Sequence, residues 1–235
     1  MELFELHRQL KTEPESLSAL IRVGVEARRL LLKGFEVEQL CVDLFDKEVA
    51  VRRRAAIALG KIGPKAEKAV PALIEALKDK DKLVRANAAY ALGMIGPKAE
   101  KAVPALIEAL KDKEVWARTF AAYALGKIGP KAEKAVPALI EALNDKDSDV
   151  RENAAYALGR IGPKAEKAVP ALIEALKDKD KHVRDYAADA LGEIGPAAEK
   201  AVPALTEALK DKNGDVRRYA SSALCSIKAA LRKGS

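Results

Sequence analysis

The stretch GPKAEKAVPALIEAL runs from Gly63 to Leu77 and returns unchanged at Gly96, Gly129 and Gly162. A further copy begins at Gly195 and differs only at Ala197 and Thr206. Successive copies start 33 residues apart. Recurrence at such a fixed period specifies stacked supersecondary units, each packed on its neighbours, instead of one globular core. The chain of 235 residues is therefore expected to form a single elongated domain. Hydrophobic residues make up 49% of it and aromatics only 4%, so its interior must come from Ala, Leu, Ile and Val on closely spaced helices.

Each unit reads as two helices. Gly63-Pro64 stops the second helix of one unit and starts the next unit, because glycine accepts the left-handed conformation that ends a helix and proline suits a first turn whose amide has no partner. Pro71 removes one helical hydrogen bond. It predicts a kink there, or a brief first turn over Pro64 to Lys68 followed by the main helix to about Lys78. Lys80-Asp81-Lys82 makes the polar turn, and the second helix is expected from about Lys82 to Ile95. Val84, Ala88, Ala91, Leu92 and Ile95 recur at helical spacing and form its core face.

The period weakens toward both ends. Residues 1–34 read as an N-terminal helical cap, with Thr12-Glu13-Pro14-Glu15 resembling a capping box. Residues 35–228 hold six units, the first diverged but in register and the last serving as C-terminal cap through Ser221, Ser222, Ser226 and Lys228. Residues 229–235 read as a tail ending in an appended Gly234-Ser235.

Lys and Arg number 42 against 35 Asp and Glu, a formal charge of +7. That excess admits nucleic acid or acidic proteins as partners without requiring them. Most of these lysines fall in the GPKAEK and KDKDK segments and are expected to be solvated. Cys41 and Cys225 lie near opposite ends of the array, too far apart for a disulfide in a rod. They read as small apolar residues in a reducing compartment, which places the chain in the cytoplasm. No apolar run is long enough to span a membrane.

The repeated residues resemble HEAT repeats of the short, phycobilisome-lyase-type group. The resemblance rests on a proline in the first helix, an aspartate at its end and an arginine early in the second. These are Pro71, Asp79 and Arg85, then Pro104, Asp112 and Arg118, Pro137, Asp145 and Arg151, Pro170, Asp178 and Arg184, and Pro203, Asp211 and Arg217. The first unit keeps Asp46 and Arg52 but has Gln39 at the proline position. This likeness implies an all-α, right-handed α-solenoid in which the Asp and Arg residues form a ladder and the second helices line the concave side. On this reading Asp112 is the partner of Arg118.

Variation concentrates on the other face of the second helix. Leu83, Ala86, Asn87, Tyr90 and Met94 in one unit become Trp116, Thr119, Phe120, Tyr123 and Lys127 in the next, then Asp149, Glu152, Asn153, Tyr156 and Arg160, then His182, Asp185, Tyr186, Asp189 and Glu193. A frame copied verbatim beneath a varied stripe is the pattern of a scaffold presenting a tailored surface. The candidate partner-binding residues are Leu83, Asn87, Tyr90, Trp116, Phe120, Tyr123, Lys127, Asn153, Tyr156, Arg160 and Tyr186. An aromatic cluster on one helical face is hot-spot chemistry, and it also offers a route to self-association. Arg53, Arg54 and Lys61 make the N-terminal part of the stripe basic, whereas Asp149, Glu152, Asp185, Asp189 and Glu193 make the C-terminal part acidic. A groove that follows a phosphate backbone should be basic along its length, so the expected partner is a protein or peptide and not nucleic acid.

Catalysis is not expected. His7 and His182 lie in different regions and form no metal motif, and two histidines with two distant cysteines offer no plausible nucleophile-base pair. No cofactor is implied. HEAT-like DNA glycosylases would offer Trp116 with Asp149 as an analogue, but the groove lacks their basic flanks. The verbatim copies resemble artificial alphaRep-type HEAT proteins, which implies an engineered or consensus-derived binder. A natural prokaryotic adaptor, or a bilin lyase or isomerase subunit, is the alternative.

Overall fold

A computed structural model describes residues 37–233, so the expected N-terminal cap and the final Gly234-Ser235 lie outside the described residues. Within them the chain alternates first helices, α1 (Val37–Asp43), α3 (Val70–Ala76), α5 (Val103–Ala109), α7 (Val136–Ala142), α9 (Val169–Ala175) and α11 (Val202–Ala208), with second helices. The second helices are α2 (Val49–Ile62), α4 (Lys82–Ile95), α6 (Val115–Ile128), α8 (Ser148–Ile161), α10 (Lys181–Ile194) and α12 (Gly214–Lys233). The predicted helix over Lys82 to Ile95 is present with those bounds.

The Gly-Pro junction resolves the proline question. Each junction opens a 3-10 segment, the first of which is Gly63–Ala69. Ala66 within it leaves helical geometry at φ −87°, ψ 21°. The α-helix restarts at Val70, which leaves Pro71 in its first turn, where a missing amide costs no hydrogen bond. Of the two expected forms, the short first turn is therefore the one present. The break lies at Ala66, and Pro71 kinks nothing. Gly63 has φ 64° and ψ −135°. This is a positive-φ conformation, but it is not the left-handed helical one expected; it is the mirror image of extended backbone, open almost only to glycine.

Second helices pack side by side along the whole array, while first helices reach the next unit mainly through its 3-10 segment. α2, α4, α6, α8, α10 and α12 thus form one continuous layer, the one expected to be concave. Close approach depends on a helical glycine. A Cβ built on Gly126 would lie 2.7 Å from Tyr156 Cε1 and 3.0 Å from Ala157 Cα. Cys225 occupies the corresponding position of α12 and is exposed. Lys228 stands where the junction glycine would. Val84, Ala88, Ala91, Leu92 and Ile95 are all fully buried, as their spacing predicts.

The ladder is present, but it joins different residues from those expected. Arg85 Nε and Nη2 donate to the two carboxylate oxygens of Asp112, at 2.6 and 2.9 Å, in the following unit. Arg118 does the same to Asp145, at 2.7 and 3.0 Å. Arg118 Nη1 donates to the backbone carbonyl of Asp112, at 2.9 Å, and not to its carboxylate. The series runs Arg52–Asp79, Arg85–Asp112, Arg118–Asp145, Arg151–Asp178 and Arg184–Asp211. Each bridge therefore ties one unit to the next. Burial works against ionisation of Asp112, but hydrogen bonds from Arg85 and the Glu114 amide outweigh it and hold the carboxyl below its ordinary range. Such bidentate, charge-assisted bonding is the strongest kind available to these side chains.

A second ladder runs along the outer layer. Lys98 pairs with Glu67, Lys131 with Glu100 and Lys164 with Glu133. These lysines were expected to be solvated. They are half-exposed, yet each spans neighbouring 3-10 segments. Exposed pairs of this kind contribute little to stability.

Candidate functional site

The varied residues of α4, α6, α8 and α10 meet on the face of the second-helix layer. Trp116 and Phe120, one turn apart on α6, stack with ring centroids 5.9 Å apart. Phe120 meets Tyr90 of α4 edge-on at 5.4 Å. Tyr90 stacks on Tyr123 at 6.0 Å, and Tyr123 on Tyr156 at 6.2 Å. Tyr156 meets Tyr186 edge-on at 5.9 Å. The rings thus make one file crossing four helices, at separations favourable for aromatic pairs.

Depth divides the file. Trp116 is 53% exposed and Tyr90 36%, whereas Phe120, Tyr123, Tyr156 and Tyr186 are half-buried. Tyr90, Tyr123 and Tyr156 each lie against the helical glycine of the preceding unit, at Gly60, Gly93 and Gly126. They carry structure as well as surface. Burial raises the phenols of Tyr123, Tyr156 and Tyr186 above their ordinary value.

The other candidates frame this file. Leu83 is exposed at the start of α4, Asn87 is half-buried, and Lys127 and Arg160 are exposed near the ends of α6 and α8. Lys127 Nζ lies 5.9 Å from the Tyr123 ring centroid. Asn153 is turned onto its own helix, its Nδ2 donating to the Asp149 carbonyl at 2.8 Å.

Three residues placed on the exposed stripe are in fact buried: Ala86, Thr119 and Asp185. Their shared position lies on the flank facing the next second helix. Arg53, at the same position in α2, shows this by donating twice to the Asp81 carboxylate of the next unit, at 2.8 and 2.7 Å. Asp81 also caps α4 by accepting from the Leu83 and Val84 amides. The Arg53 hydrogen bond, acting against burial and aided by those amides, holds its carboxyl at about 2. The N-terminal end of the stripe is thus less basic than its composition suggests, because Arg53 is matched.

The acidic end is not matched in this way. Glu152, Asp185 and Asp189 were read as part of the stripe's charge but not as binding residues. Their recurrence on α8 and α10, where other units carry Thr119 or a tyrosine, was the available signal. Burial raises all three carboxyls above their ordinary range. For Asp189, Glu193 adds to the rise, while Arg160 and Arg218 oppose it.

A carboxyl whose folded pKa lies above its unfolded value costs stability when ionised, and the cost disappears once both states are protonated. Asp189→Asn is therefore expected to raise the melting temperature at neutral pH by about 2 °C. The gain should vanish below the ordinary value of 3.8. Thermal melts of parent and variant across pH would show it, and a variant less stable at pH 7 would contradict the assignment.

Among the described residues, no group of three or more His, Cys, Asp or Glu is placed to hold a metal ion. No helix among them is long and apolar enough to cross a membrane.

Comparison with known proteins agrees with this architecture. The HEAT-repeat sequence family matches residues 37–126, 103–167 and 136–225. An engineered protein of known structure is 30% identical, with TM-score 0.70, over 82% of this chain and 96% of that one. A structure of the CpcE–CpcF complex of phycocyanin lyase from Nostoc is also 30% identical, with TM-score 0.62, over 82% of this chain and 77% of that one. A designed armadillo repeat protein in complex with the peptide (KR)4 shares the fold at 21% identity and TM-score 0.69, over 82% of this chain and all of that one. Comparison with curated proteins gives no match. With family matches spanning nearly every described helix pair, and helix pairs joined by an Asp–Arg ladder, the chain belongs to the HEAT-repeat family.

Proposed function

We propose that this repeat scaffold is a non-catalytic binding protein that recognises a protein or peptide partner through the concave face of its second helices. The observation that carries the reading is the ring file from Trp116 to Tyr186. There Trp116 and Phe120, which no other unit repeats, join the recurring Tyr90, Tyr123 and Tyr156 and the neighbouring Tyr186 in one continuous surface. The most exposed of them, Trp116, is 53% exposed and meets only Phe120 among the rings. Two neighbours support the reading: one is an engineered protein at 30% identity, and the designed armadillo protein is in complex with a peptide. An engineered or consensus-derived origin fits the verbatim copies. The unpaired Cys41 and Cys225 suit a reducing compartment such as the cytoplasm.

A second reading, a subunit of a lyase complex, is favoured by the likeness to the phycocyanin-lyase structure. It would require chromophore transfer activity on co-expression with phycocyanin.

Affinity capture from a cell lysate, with mass spectrometry of the retained proteins, tests the first reading. A captured partner should bind Trp116→Ala about tenfold more weakly, at nearly unchanged thermal stability. Unaltered affinity would remove Trp116 from the site, and a large loss of stability would show that the ring is core.

A further inference from the structure

Elsewhere among the described residues the half-buried carboxylates accept hydrogen bonds or pair with a cation: Asp43 accepts from Gln39, Asp46, Asp147 and Asp180 from backbone amides, and Glu114 pairs with Lys82. The ladder aspartates bind arginine, and Asp81 binds Arg53. Glu152 and Asp189 break that pattern. Both are half-buried, and neither makes a hydrogen bond or ion pair. Asp185 is only 7% exposed, and its one ion-pair partner is His182 Nδ1, at 3.7 Å, which is charged only when protonated. Arg160 and Arg218 face Asp189 from a distance without pairing to it; Arg218 pairs instead with Asp215, at 3.3 Å. Burying carboxylates without partners is unfavourable, and where the other half-buried carboxylates among the described residues have a hydrogen bond or an ion pair, Glu152 and Asp189 on the second-helix face have neither.

The carboxylates do not stand alone. Tyr156 and Tyr186 belong to the same two helices, their rings meeting edge to face. Glu152 lies close enough to Tyr186 to raise its phenol, after burial. Carboxylates beside aromatic faces complement a planar cation, which can stack on a ring while donating two parallel hydrogen bonds. A compact ammonium would meet the charge but not the plane.

We propose that the face around Tyr156 and Tyr186 docks an arginine-bearing segment of the partner, with a guanidinium lying against the rings and bonding to Glu152, Asp185 and Asp189. This rests on the concave face being the binding surface and adds the chemistry of what binds there. Self-association that sets this end of the face against its own copy is disfavoured by the identical negative charge of the two.

The test uses a fluorescein-labelled peptide of alternating glycine and arginine, and the same peptide with citrulline in place of arginine, followed by fluorescence anisotropy at low salt. The parent should bind the arginine peptide and not the citrulline one. Glu152→Gln/Asp185→Asn/Asp189→Asn should weaken binding about tenfold or more. The control Glu67→Gln/Glu100→Gln/Glu133→Gln removes the same charge from the outer layer and should change affinity by less than about twofold. No binding, equal loss in both triple variants, or full affinity in the first would overturn the proposal; circular dichroism confirms that each variant is folded. If a captured partner still depends on Trp116 while the arginine peptide is ignored, only the charge assignment fails. If no partner depends on Trp116, the wider reading fails.

Discussion

Asp112→Ala is expected to lower stability by about 3 kcal/mol, because it removes the carboxylate from a buried arginine. That arginine is Arg85, in the preceding unit and only 8% exposed. Its Nη1 would keep the Asp79 and Lys80 carbonyls, while Nε and Nη2 would be left with a charge and no acceptor. The arginine at the ladder position of the last unit supplies an internal control. Arg217 is exposed and donates only to the Asp211 and Lys212 carbonyls, so Arg217→Ala should cost less than about 1 kcal/mol. Denaturant titration of both variants measures the difference. Equal losses would mean that the ladder does not hold units together.

Gly126→Ala should cost about 2 kcal/mol, for a different reason. A methyl there meets the Tyr156 ring at 2.7 Å and the Ala157 backbone at 3.0 Å. Backbone cannot turn aside as a side chain can, so α6 and α8 must separate, and overpacking outweighs the better helix propensity of alanine. The same change at Gly60, where the nearest atom is Ala91 Cα at 3.3 Å, should stay within about 0.5 kcal/mol of the parent. A graded pair of this kind separates close helix approach from any general intolerance of alanine. Equal costs at the two sites would refute the packing argument.

The helix pairs were readable from the repeat because period, Gly-Pro punctuation and apolar spacing all point the same way. The ladder partner was not. Asp79 precedes Arg85 by six residues, and Asp112 follows it by 27. In a chain that repeats every 33 residues these two spacings recur together, so pairing within a unit and pairing between units leave the same sequence trace. Only the direction in which Arg85 extends decides between them. The helical glycines were overlooked for a related reason: in sequence they look like weak points in a helix, and their use appears only once the next helix lies against them. On the second-helix face the rings were legible as helical neighbours. The burial of Thr119 and Asp185 was not, because it depends on how near the following second helix comes.

The central claim is that partners dock on the second-helix face, and blocking that face tests it most directly. In a Cys41→Ala/Cys225→Ser background, a bulky maleimide is placed either on Lys127→Cys, beside the ring file, or on Lys131→Cys, on the outer layer. Retention of the captured partner should be lost with the first label and kept with the second. Loss only with the outer label, or no effect of either, would contradict the assignment of the concave face as the binding surface.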